Sequence, residues 1–188
     1  MAAVMPMGRL VNGLDVDELE DVAQEVRREP GRGRVEFRAR TEWKGRTRSR
    51  TMIDSYTVGG WQVHRHFTID ADQPFELQGR NTAPNPQELL MAALNACLTV
   101  AYVTQAALRG VTLEAVHIET AGSLDLRGVL GLDPSIRPGF GTLHYVARLR
   151  GFGTLEQFRE IHEAVVRTSP NVFNLAEPVT IDARLIVE

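Results

Sequence analysis

The chain has 188 residues, 43% of them hydrophobic and 24% charged, enough to bury one sizeable core. Its net charge of -3 gives no electrostatic case for nucleic acid as the main partner, and its single cysteine excludes an intramolecular disulfide. The N-terminus shows one Arg and no long apolar core before its acidic run, so no secretory signal is expected and a reducing cytoplasm is the expected compartment.

Residues 1–13 carry no pattern. Leu14–Arg28 predicts a short amphipathic helix, with Val16, Leu19, Val22, Ala23 and Val26 on one face and acidic residues on the other. Pro30-Gly31-Arg32-Gly33 ends it, so residues 1–33 are expected to be an N-terminal extension to a domain over 34–188. Residues 34–70 predict a three-stranded antiparallel meander. Val35, Phe37 and Ala39 alternate with charged residues, and Trp43-Lys44-Gly45-Arg46 and Gly59-Gly60 supply turns. Trp61, Val63, Arg65, Phe67 and Ile69 then share one face, with His64 and His66 on the other.

Residues 71–84 form a loop rich in Pro, Gly, Asn and Asp. Asn85 as N-cap, Pro86 at the first helical position and Glu88 at the third open a helix that runs to about Arg109, with Gly110 just past its end. Its apolar stretch, Leu89–Val103, is interrupted by Asn95 and Thr99 and is expected to be too short and too polar to cross a bilayer. A strand over 111–120, a Gly/Pro loop over 128–139 and a strand over 142–149 follow. Thr154-Leu155-Glu156-Gln157 opens a second capped helix, which continues through Phe158, Ile161, Val165 and Val166 to Ser169-Pro170. A strand over 179–187 closes the chain. The order β-β-β-α-β-β-α-β is an α+β pattern.

Cys97 faces inward from the first long helix. A lone Cys there is either a small core hydrophobe or a reactive thiol. Only the thiolate is a nucleophile, and a free thiol has a pKa of about 8.5. A helix dipole acts only within the first turn, and Cys97 lies about three turns in, so activation needs an outside cation. Arg46, Arg48 and Arg50 on the preceding hairpin are the candidates; the alternative is that they are solvated strand-face charges. Along the helix, Gln87 is about 15 Å from Cys97 and Glu88 faces the opposite side. Either side chain would need a bridging Arg or a second subunit to serve the thiol. His64 and His66 alternate on one strand, but no third ligand has metal-binding spacing, so no metal is expected. No phosphate-binding glycine motif supports a nucleotide cofactor, and no cofactor of any kind is expected.

The run Asn85-Pro86-Gln87-Glu88-Leu89-Leu90-Met91-Ala92-Ala93 with Cys97 four residues on, the segment Gly122-Ser123-Leu124-Asp125-Leu126-Arg127-Gly128, and Ser169-Pro170-Asn171 together resemble the OsmC/Ohr superfamily. These are osmotically inducible and organic-hydroperoxide-resistance proteins. The resemblance covers roughly Val35 to the C-terminus. It implies an OsmC-like α+β fold, with antiparallel sheets wrapped around two central helices, in an intertwined homodimer with active sites at the subunit interface. It implies a thiol peroxidase in which Cys97 attacks an organic hydroperoxide. Arg46 best matches the family's turn arginine, which favours the thiolate and orients the substrate, while a carboxylate near the helix start holds that arginine. The chain departs from the pattern in two places. The family's second Cys, in a Cys-Pro step, is Ser169 here, so the reductant implied is an external thiol. The usual carboxylate position, ten residues before the reactive Cys, is Gln87; Glu88 is the nearest substitute and also reads as a capping residue. The other reading on the same fold is a non-catalytic small-molecule-binding protein with Cys97 as an inert core residue.

Overall fold

A computed structural model of the chain describes residues 8–177 and 179–187. The backbone divides into two compact units, Met1–Ala92 and Ala93–Glu188. In the first, a short ladder of β1 (Leu10–Val11) with β2 (Leu14–Asp15) leads into α1 (Val16–Arg28). The Asp15 carboxylate caps that helix, accepting from the Asp17 and Glu18 amides at 3.0 and 3.3 Å. Arg27 and Arg28 occupy the last turn, where the helix dipole favours cations.

β3 (Val35–Phe37), β4 (Arg40–Trp43), β5 (Ser49–Val58) and β6 (Trp61–Ala71) form an antiparallel sheet in which the other three all pair with β5. The expected first strand of the meander is therefore two. Phe37 pairs with Tyr56 but Arg40 pairs with Met52, three residues onward against four back, so β5 holds an extra residue there. The β5–β6 register shifts at the same place, between Ile53 and Ser55. Such a bulge breaks the ladder and the two-residue alternation with it.

α2 (Pro86–Leu108) starts in the first unit and runs unbroken into the second. Gly110, at φ 68°, sits past its end in the left-handed conformation that a glycine tolerates. At 23 residues, α2 is long and apolar enough, by length and composition, to cross a membrane. This corrects the expectation drawn from Leu89–Val103 alone, because the helix carries on through Thr104–Leu108. In this fold it gives Leu94, Leu98, Tyr102 and Ala106, one per turn along a single face, to a core.

The second unit is built on that core. β7 (Thr112–Gly122) and β8 (Leu143–Phe152) form a two-stranded antiparallel sheet, with α3 (Leu126–Val129) in the connection between them. α4 (Leu155–Thr168) and α5 (Pro170–Ala176) follow. β8 alternates strictly between half-buried and exposed residues, and Leu143, Tyr145, Ala147 and Leu149 pack on the cluster of Leu98, Tyr102, Ile161 and Val165. A two-stranded sheet is marginal alone in water, and the two helices supply the second layer it needs.

α4 ends at Ser169-Pro170 as expected, and a short further helix, α5, begins at Pro170. One further expectation is corrected: 179–187 is not a strand. Among the described residues nothing forms a ladder with it, and Ile181 and Leu185 are 85% and 88% exposed. A strand exists only through a partner's hydrogen bonds, and the sequence pattern cannot supply one.

Candidate active site

Cys97 lies on α2 in the second unit, partly buried between Leu94 and Leu98, which are 4% and 0% exposed. Its Sγ is 3.3 Å from Ser169 Oγ. Ser169 owes its position to the following proline. Pro170 has no N–H, and it disfavours helical backbone in the residue before it, so α4 stops. Ser169 adopts φ -73° and ψ 116°, and its own N–H closes α4 on the Val165 carbonyl at 2.9 Å. Its Oγ then accepts from the Val172 amide at 3.4 Å, and Pro170 takes the first position of α5, where the missing N–H costs nothing. One residue thus ends one helix, starts the next and touches the thiol. Asn171 ties the same corner to α2, its Nδ2 donating at 2.9 Å to the Ala93 carbonyl, one turn before Cys97.

The arginine candidates belong to the first unit. The β4–β5 turn closes with Lys44 N–H on the Arg48 carbonyl at 2.8 Å, and Gly45 and Arg46 both have left-handed backbone, φ 89° and 52°. For Arg46 that conformation carries a steric cost of about 1–2 kcal/mol. The Trp43 indole braces it by donating to the Arg46 carbonyl at 2.7 Å. Among the described residues, neither Arg46 nor Arg48 makes an ion pair. Arg50 is bound bidentately to Asp70 at 2.7 and 2.8 Å and holds that carboxyl below its usual range.

The turn is anchored through Thr47 to Asp72, whose side chain is 1% exposed. Asp72 also accepts from the Gln73, Arg80 and Thr82 amides and the Thr82 hydroxyl at 2.8–3.2 Å. Burial alone would push its pKa up. The hydrogen bonds from Thr47, Thr82 and Gln73 outweigh burial and leave it well below the carboxylate range.

At the start of α2, Asn85 Oδ1 accepts from the Gln87 and Glu88 amides at 2.9 Å each, and Glu88 returns a bond to the Asn85 N–H at 2.7 Å. This is a complete capping box, so the Glu88 carboxylate has a structural occupation. Gln87 is exposed and gives the cap only its backbone N–H. His64 and His66 are exposed on β6, and among the described residues no group of three or more His, Cys, Asp or Glu is placed to hold a metal. Elsewhere in the second unit the buried Tyr102 hydroxyl meets His162 Nδ1 at 2.5 Å, and burial with Tyr145 holds the phenol above its usual range.

Arg46, Gln87 and Glu88 therefore belong to the first unit, and Cys97 and Ser169 to the second. Sequence reasoning marked Ser169 only as the place of an absent cysteine. It missed the contact with Cys97, because the two are 72 residues apart. It also missed Asp72, one Asp in a polar loop.

Residues 79–184 match the family model described as OsmC-like protein. Among solved structures, an OsmC-like protein from Mycoplasma pneumoniae aligns with a TM-score of 0.61 at 12% identity, over 76% of this chain and 89% of the other. A protein from Psychrobacter arcticus 273-4, proposed to be an osmotic-stress-induced and detoxification-response protein, aligns with a TM-score of 0.55 at 16% identity, over 71% and 84%. At these identities the likeness is one of fold. No curated protein sequence matches.

Proposed function

The chain belongs to the OsmC-like protein family, and we propose that it is a thiol-dependent peroxidase that reduces organic hydroperoxides through Cys97. The observation that carries this reading is a lone, partly exposed thiol whose sulfur meets Ser169, the residue in place of the family's second cysteine. The Cys97 thiolate attacks the distal peroxide oxygen, and the O–O bond breaks. The alkoxide takes up a proton and leaves as an alcohol, while the sulfur, oxidised by two electrons, becomes sulfenic acid. Ser169 cannot form a disulfide. One external thiol therefore condenses with the sulfenic acid, releasing water, and a second displaces Cys97 as thiol from the mixed disulfide.

Arg46, on its braced turn, supplies the cation, in an active site completed by a second copy of the chain. The apolar neighbours of Cys97 favour an alkyl hydroperoxide over hydrogen peroxide. In a turnover assay with cumene hydroperoxide and a small dithiol, the protein is expected to consume peroxide catalytically and Cys97→Ser to be inactive. Equal rates in the two would overturn the reading. The Glu88 cap favours the other reading, a small-molecule-binding protein without peroxidase activity, because it engages the nearest carboxylate to the family position.

A further inference from the structure

We propose that the Ser169 hydroxyl is a catalytic group of the thiol site, donating its hydrogen bond to the Cys97 sulfur. By geometry either atom could donate across this contact, and the bonds around Ser169 favour the serine as donor. A serine hydroxyl has one donor and two acceptor sites. The Val172 N–H occupies an acceptor site at 3.4 Å. The O–H remains, and among the described residues Cys97 Sγ, at 3.3 Å, is the side-chain atom that receives it. Ser169 is 2% exposed, so water does not compete for the proton. The hydroxyl is also fixed in place, by the α4–α5 corner on one side and the Asn171 clasp on the Ala93 carbonyl on the other.

A donor aimed at sulfur favours the charged thiolate over the neutral thiol. After attack on peroxide the same donor faces the sulfenate. Serine in this position keeps a hydrogen bond to the sulfur while removing the means of closing a disulfide, which leaves the oxidised sulfur for an external thiol. The role in the oxidised state rests on the peroxidase reading; the role in the thiolate does not.

The test is the pH profile of Cys97 alkylation in the full chain, compared with Ser169→Ala and Ser169→Gly. Both lose the hydroxyl, but glycine serves at an N-cap far better than alanine. The alkylation midpoint is expected to rise by about one pH unit in both, a roughly tenfold slowing at neutral pH, as suits loss of a hydrogen bond to a charged group. Thermal stability should instead separate the two, with Ser169→Gly nearer the parent. A midpoint that stays put in folded samples, or that follows stability from one variant to the other, would overturn the proposal. Ser169→Cys checks the contact independently: the thiol oxidant diamide should close an intrachain disulfide, and a folded variant that forms none would also overturn it. Sulfenic-acid trapping on the unsubstituted protein is a separate arm. Its failure beside a shifted midpoint would defeat the peroxidase reading and leave the hydroxyl's role in the thiolate standing.

Discussion

The two units of the chain cover apolar surface to very different degrees. In the second, α2, α4 and the β7–β8 sheet close over Leu98, Tyr102, Ile161 and Val165, each at most 1% exposed. In the first, Val16 is the one fully buried large apolar side chain among the described residues. Phe37, Trp43 and Trp61 of its sheet are 77%, 76% and 80% exposed. What fixes the loops of the first unit is polar, the Asp72 cluster above all. Exposed apolar surface of this kind makes cover by a second copy of the chain a proposal to test. The second unit has a core of its own; among the described residues the first shows no such cluster.

The largest expected effect follows from that contrast. If a second copy covers the first unit's sheet, sedimentation should give a dimer at low micromolar concentration, and Phe37→Asp should dissociate or unfold it. A folded monomer of the unsubstituted chain would break the comparison. Next in size, Leu98→Ala should cost about 2–5 kcal/mol, the range for a leucine truncated in a closed core. Phe37→Ala sharpens the contrast. At a surface that stays exposed it should change stability by less than about 0.5 kcal/mol. Under a partner's cover it should cost more, and the cost should depend on protein concentration.

The polar anchoring of the first unit has its own signature in acid. The Asp72 carboxyl is held below its unfolded value, so its bonds support the folded state fully above pH about 4 and are lost as pH falls further. Asp72→Asn should therefore be less stable at neutral pH and lose less stability than the parent between pH about 4 and 2. Denaturant melts at both ends of that window check this; parallel losses in the two proteins would contradict it.

The same contrast separates what was legible in the sequence from what was not. Both capping boxes, Asn85 with Glu88 and Thr154 with Gln157, are local exchanges between residues three apart, and both form. The strict alternation of β8 and the stop at Gly110 are local in the same sense. Signals that depend on a partner strand or a distant loop were hidden. The break between β3 and β4 comes from a bulge in β5, and the lack of a strand at 179–187 from the want of a ladder. Pro170 was ambiguous for a physical reason: a proline that ends one helix is equally suited to begin another. In the candidate site, Cys97 stood out as a residue type. Its bond to Ser169 and the binding of Thr47 to Asp72 span 72 and 25 residues and leave no local pattern.

The smallest expected effect belongs to Glu88. Glutamine still serves in a capping box, so Glu88→Gln should cost less than about 0.5 kcal/mol and leave Cys97 alkylation unchanged if capping is its whole role. A clear slowing of alkylation with stability intact would instead make Glu88 the carboxylate that holds the activating arginine.

The measurement closest to the central claim, that Cys97 is a peroxide-reactive thiol, is intact-mass analysis after stoichiometric cumene hydroperoxide in the presence of dimedone. The expected result is a single dimedone adduct, mapped to Cys97 and absent from Cys97→Ser. A folded protein that yields no adduct would contradict the claim and leave Cys97 as a core residue of a binding protein.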